Sequence, residues 1–222
     1  MAITAASKVG EVAAQYPLAT RVFARHGIDF CCHGGNPLAE ACATSGATVD
    51  QVIGELEREI AGRTEAELRW DEQPVEALIE HILTAYHEPL REELPRLEEM
   101  MRKVHRVHGA RDQGRFDALL EKVLAVRADI EGHLPKEEEV LFPQILAGRG
   151  AMMAMPITVM EEEHAVLGGL LQDVRSLTND FTLPGDACNT WRALWAALEE
   201  LERSLHEHIH LENNVLHKKA RG

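Results

Sequence analysis

Apolar residues recur at alternating spacings of three and four along most of this chain, the period of a helix that buries one face. From Pro74 onward, four long segments carry the stripe. The first, about residues 75–105, has Ile79, Leu83, His87, Leu90, Leu94, Leu97 and Met101 on it. The second, about 115–146, has Leu119, Val123, Val126, Ile130, His133, Glu137 and Leu141. The third, about 156–177, has Ile157, Met160, His164, Leu167, Leu171 and Val174. The fourth, about 186–217, has Leu194, Leu198, Leu201, Leu205, His208, Glu212 and Val215. Short to moderate connections join them, as an up-down-up-down four-helix bundle requires. Pro89 and Pro95 in the first segment, and Pro135 and Pro143 in the second, predict kinks or breaks. No strand-like alternation appears, so the class is all-α.

Residues 1–62 read differently. Val9, Val12, Ala13 and Tyr16 lead to Pro17, and Leu18, Val22 and Phe23 lead to His26-Gly27. Leu38, Ala41 and Cys42 follow Pro37, and Val52, Ile53, Leu56 and Ile60 form one more stripe. This predicts a small module of three or four short helices, with a turn-rich loop over 29–37 that holds Cys31 and Cys32. Residues 63–73 are polar, lack a stripe and are expected to be a linker; the bundle takes 74–222.

Composition narrows the function classes. Of 222 residues, 37 are Asp or Glu against 23 Lys or Arg, a formal net charge of −14, and twelve are His. Hydrophobic residues at 45% and charged ones at 27% fit a globular protein rather than a disordered one. The acidic balance argues against nucleic acid or an anionic membrane as partner, since phosphate contacts need clustered Lys and Arg. The first residues do not resemble a secretory signal, and no stretch nears the roughly 18 apolar residues of a membrane span, so a cytoplasmic location is expected. Four cysteines in so long a chain make no disulfide framework and are expected to be free thiols.

The seams themselves carry the chemistry. Each is apolar except at one place: His87; His133 with Glu137; His164; and His208 with Glu212. Residues four apart stack on one helix face, so each His-x-x-x-Glu pair points inward at adjacent levels. A buried, unpaired carboxylate is costly, and a cation between the helices removes that cost. Four imidazoles and two carboxylates suit a pair of first-row metal ions with the carboxylates bridging. Iron is the natural assignment, and manganese and zinc accept the same ligand types. A metal-free helical adaptor is the competing reading. Glu161 is a minor ligand candidate, and Glu163 is expected to support the ligands from behind. The acidic runs 137–139 and 161–163 otherwise read as solvated faces, and Met152, Met153 and Met155 as packing filler. The remaining bundle histidines, His81, His105, His108, His206, His210 and His217, lie off the seams or near segment ends and read as solvated.

Three stretches narrow the resemblance: Asp29-Phe30-Cys31-Cys32-His33-Gly34-Gly35; His133-Leu134-Pro135-Lys136-Glu137-Glu138 with Leu141-Phe142-Pro143; and His208-Ile209-His210-Leu211-Glu212-Asn213-Asn214. Together with the lone His on each other helix, they resemble the RIC (repair of iron centres) family, the YtfE/ScdA-type iron–sulfur cluster repair di-iron proteins with a hemerythrin-like domain. The resemblance implies two non-haem iron ions, bridged by carboxylate and by oxo or hydroxo groups. It implies His87, His133, Glu137, His164, His208 and Glu212 as ligands, with His87 and His133 on one iron, His164 and His208 on the other, and Glu137 and Glu212 bridging. It implies repair of clusters damaged by oxidative or nitrosative stress, through iron donation or nitric oxide reductase-type redox activity. Damaged iron–sulfur proteins are then the clients, nitric oxide or peroxide the small ligand, and a homodimer is compatible.

Oxygen-carrying hemerythrins use five His, two of them four apart on the third helix. Here Met160 and Gly168 flank His164 at those spacings. The missing imidazole leaves open metal positions, which favour reaction with nitric oxide or peroxide, or iron release, over oxygen carriage. The alternative is a hemerythrin-like oxygen, nitric oxide or iron binding or sensing protein without repair activity. Cys31 and Cys32 have two readings, a structural turn or thiol and iron-transfer chemistry. Three departures from the family pattern stand out. Pro135 interrupts a ligand pair and is expected to loosen it, His217-Lys218 replaces Phe-Pro, and His33 replaces the commoner Gly.

Overall fold

The computed structural model describes residues 3–61 and 69–222. Most of the expected linker, 63–68, lies outside the described residues; at 69–73, Arg69 pairs with Asp71 and Glu72 in a turn. The fold is all-α. Among the described residues the only β feature is an isolated bridge between Lys8 and Pro37. None of their helices is long and apolar enough to cross a membrane. The chain divides into two compact units, Met1–Ile79 with His206–Gly222, and Glu80–Leu205.

The first unit holds four short helices, α1 (Val9–Gln15), α2 (Ala19–Arg25), α3 (Leu38–Ser45) and α4 (Val49–Ala61). Val9, Val12, Val22, Phe23, Leu38, Cys42, Val52 and Leu56 form its core. Full burial of each large apolar side chain contributes about 1.5–3 kcal/mol. Gly46 ends α3 in the left-handed conformation (φ 75°), which glycine adopts without a Cβ clash. The same unit includes α5 (Val75–Ile82) up to Ile79 and the carboxyl-terminal end of the chain.

In the second unit α6 (Glu88–His108), α7 (Gln113–Lys136), α9 (Ala154–Leu177) and most of α10 (Asn189–Leu211) bury the predicted seams. Helix α7 packs on α6 and on α9, and Arg175 of α9 pairs with the buried Glu202 of α10. Short α8 (Phe142–Leu146) follows α7, and α11 (His217–Arg221) ends the chain.

The irregularities do not all fall where the prolines predict. Helices α6 and α7 run on through Pro95 and Pro135. Instead, π-helical turns occupy Leu83–His87, Glu137–Leu141 and Glu212–Leu216. In each, the next N–H bonds five residues back: Glu88 to Leu83, Phe142 to Glu137 and His217 to Glu212. Pro89 and Pro143, which have no N–H to give the carbonyl four residues earlier, follow the first two turns. The third forms without a proline. The added residue explains one local misreading: Leu83 is half-buried, and the buried positions run from Ile82 to His87, five apart. The methionine reading also needs correction, since Met152 and Met155 are 75% and 76% exposed and fill no core.

Candidate metal centre

Every π turn carries a buried seam residue: His87 closes the first, Glu137 opens the second and Glu212 opens the third. Such turns re-aim one side chain without ending the helix, and they concentrate at functional sites.

In the second unit the structure brings together His87, His133, Glu137 and His164. The Nε2 atoms of His133 and His164 are 3.0 Å apart, and their rings lie 4.7 Å centre to centre. One ligand atom each from His133, Glu137 and His164 lies within 4.8 Å of the others. Glu137 is wholly buried, with its two oxygens 3.5 Å from His87 Nε2 and 3.3 Å from His133 Nε2. Neither oxygen receives a hydrogen bond. A charged group in that setting requires a cation. The buried His and Glu groups fit a metal site, and the nitrogen and oxygen donors suit a first-row metal.

The Nδ1 side of His87 and of His133 is held by a carboxylate. His87 Nδ1–H donates to Glu138 Oε1 at 2.7 Å, and Arg91, one turn beyond His87, donates to both Glu138 oxygens at 2.6 Å. His133 Nδ1–H donates to Glu163 Oε2 at 2.8 Å, and Lys136 reaches the same carboxylate at 2.5 Å. Burial raises both carboxyl groups, but the bonds from Arg91 and His87, and from Lys136 and His133, outweigh it and hold them below the usual range. These bonds fix the tautomer, which puts the ring's lone pair on Nε2. The sequence reading of 137–139 as a solvated face is corrected at Glu138. Arg91 at four residues from His87 was the one signal for Glu138. Glu161 is half-buried and joins no buried cluster of ligating groups among the described residues.

In the first unit, His208 Nε2 meets Glu212 Oε1 at 2.9 Å, both groups buried. The neighbouring segment fastens the cysteine loop. Asn213 Nδ2 donates to the Cys31 carbonyl at 3.3 Å, and Asn214 Nδ2 to the Phe30 and Cys31 carbonyls at 3.2 and 3.0 Å. A Cβ at Gly10 or Gly34 would lie 2.2 or 2.5 Å from Asn214 Oδ1, so the close approach demands glycine at both. His210 is buried rather than solvated. It holds the Phe30 carbonyl at 3.3 Å, and burial pushes its imidazole down to about 4. His217 and His108 are buried too, against the sequence expectation.

Within the loop, Asp29 Oδ1 accepts the N–H groups of Cys31, Cys32 and His33 at 3.0, 2.9 and 3.3 Å, and its Oδ2 meets His33 Nδ1 at 2.6 Å. Cys31 and Cys32 are free thiols, with sulfurs 3.7 Å apart. The adjacent Cys32 thiol and burial push the Cys31 thiol well up. Asp29, Cys31 and Cys32 each bring one ligand atom within 4.8 Å of the others.

Comparison with known proteins agrees with this geometry. A family model for the hemerythrin HHE cation binding domain matches residues 78–220, and one for a domain of unknown function (DUF542) matches residues 5–59. The iron-sulfur cluster repair protein YtfE of Pectobacterium atrosepticum is 39% identical over 96% of this chain and 95% of its own length. The proteins of the same name from Yersinia pseudotuberculosis and Yersinia pestis match equally, at 39% over 96% of this chain and 95% of theirs. Buried imidazole and carboxylate donors on a helical bundle, two matching family models and near full-length relatives lead to one assignment: this chain belongs to the RIC family of hemerythrin-domain, YtfE-type iron–sulfur cluster repair proteins.

Proposed function

We propose that this protein repairs iron–sulfur clusters damaged by oxidative or nitrosative stress, through a centre of two iron ions held by His87, His133, Glu137, His164, His208 and Glu212. Residues 1–62 and 74–222 are the two functional domains, and the protein acts in the cytoplasm.

The observation that carries the reading is Glu137, a carboxylate wholly buried between two imidazoles with no hydrogen-bond donor on either oxygen. It sits within the span matched by the cation-binding family, and the relatives bear the name of cluster repair proteins. When bound, the iron pair supplies Lewis acidity, redox electrons and a store of transferable iron. The protein's own residues present and shield it. Glu138 and Glu163 hold Nδ1–H of His87 and His133, so that Nε2 points inward. Leu90, Ile130 and Leu167, one turn along from the ligands, exclude water. The single imidazole of α9 leaves fewer protein donors than a five-His site, which suits binding of nitric oxide or release of iron.

The test incubates the iron-loaded protein, carrying an isotopic iron label, with a nitrosylated iron–sulfur enzyme. Recovery of client activity is expected. Label in the client identifies iron donation, and recovery without label identifies removal of nitric oxide. No recovery beyond that given by a His133→Leu variant overturns the proposal.

A further inference from the structure

A second cluster of reactive groups lies in the Glu80–Leu205 unit, away from the ligands. Cys188 is exposed, and its Sγ is 3.2 Å from His108 Nε2. His108 is only 8% exposed, and among the described residues that nitrogen bonds nothing else. Its ring is steadied by Trp191 at 4.8 Å, which in turn meets Phe116 and Trp195 edge-on. His108 ends the helix that begins next to His87, so the two histidines stand roughly 30 Å apart along it.

The helices around this pair favour charge separation. His108 is the last residue of the 21-residue α6, where unpaired carbonyls favour a positive charge. Cys188 immediately precedes the 23-residue α10, and its carbonyl accepts the N–H of Arg192 at 3.0 Å. The opening N–H groups of a helix favour a negative charge at that place. A proton moving from the sulfur to the imidazole therefore runs with both helix fields. Arg192 also bonds the carbonyls of Ala187 and Gly185, which holds the approach to Cys188 in shape. The Arg111 guanidinium, gripped by Asp186 at 3.0 and 2.7 Å, is within Coulombic reach of the thiol.

We propose that Cys188 and His108 form a thiol-exchange site that takes small anionic disulfides, such as oxidised glutathione, and becomes S-thiolated. A nucleophile and a base within hydrogen-bond reach, the base oriented by a third group, is the arrangement such chemistry needs. His108 Nε2 takes the thiol proton as Cys188 Sγ attacks one sulfur of the disulfide. A new S–S bond forms, the original one breaks, and the departing thiolate leaves with the electron pair and receives the proton from His108. Cys188 is oxidised and the departing half is reduced, so no further oxidant is needed. Arg111 and the α10 terminus select a partner and leaving group that carry negative charge.

The test treats the full-length protein with oxidised glutathione and follows each cysteine by peptide mass spectrometry, folded and in urea at the same pH. Cys188 is expected to react at least roughly tenfold faster in the folded protein than in the unfolded chain, and ahead of the buried Cys31 and Cys42. His108→Gln is expected to slow Cys188 by roughly tenfold. Arg111→Gln is expected to slow oxidised glutathione more than the neutral disulfide of 2-mercaptoethanol. Folding gives no acceleration at Cys188 if the proposal is wrong, and this comparison needs no variant. A folded His108→Gln protein that reacts at the wild-type rate also overturns it, and equal slowing of both disulfides by Arg111→Gln overturns the choice of an anionic partner.

Discussion

His87 Nδ1–H donates to Glu138 at 2.7 Å, so the residue next to Glu137 in the chain, on another helix, sets the direction in which His87 offers Nε2. Glu163 does the same for His133 from α9. Orientation and basicity of a metal-binding imidazole depend on such a partner. Glu138→Gln and Glu163→Gln should each weaken metal retention by roughly 10–100-fold while leaving the helix content unchanged. Chelator competition on the metal-loaded protein measures this, and wild-type retention in both variants would remove the role assigned to the two carboxylates.

Glu137 makes an opposite pair of predictions. Glu137→Leu removes a buried carboxylate whose oxygens lack donors, and should stabilise the metal-free protein by about 1–4 kcal/mol. The same substitution should abolish binding of the full metal complement. Urea unfolding of the chelator-treated protein and metal analysis of the loaded one check the two halves separately.

Metal should also couple to stability. A ligand that binds only the folded state stabilises it by about 4 kcal/mol at a thousandfold excess over its Kd. Adding ferrous iron without oxygen to the metal-free protein should raise its Tm, and the rise should vanish in a His133→Leu/His164→Leu variant. An unchanged Tm in the wild-type protein would count against a metal site at these residues.

The glycines of the cysteine loop should differ sharply. Gly34→Ala drives a Cβ to 2.5 Å from Asn214 Oδ1 and 2.8 Å from the Phe30 carbonyl, and should cost about 1–3 kcal/mol. Gly35→Ala meets nothing within 4 Å and should stay within about 0.5 kcal/mol of wild type. Asn214→Ala removes two hydrogen bonds, to the carbonyls of Phe30 and Cys31, which keep His210 and Asn213 as donors, and should cost about 1–3 kcal/mol. Equal thermal stability across the three variants would refute this account of the loop.

The seams were legible because a helix packed on one side repeats its buried face every three to four residues, and the polar intrusions at His87, His133, His164 and His208 stand out against that repeat. The same logic failed at His210, some 160° from His208 around the helix. It takes one buried face per helix for granted, and here the loop carbonyl of Phe30 meets α10 on another side. His108 escaped for a similar reason: its partner Cys188 is eighty residues away in the chain.

The chain's periodicity alone determined an all-α class, a small cysteine-bearing module, a bundle and the set of inward-facing ionisable residues, because burial of apolar area is written in local spacing. Tertiary structure decided which groups meet. The closeness of His133 to His164, the carboxylates behind the rings of His87 and His133, and the asparagine clasp on the cysteine loop all depend on the rotation and offset of elements far apart in sequence. No local spacing encodes a distance between two helices; only close packing sets it.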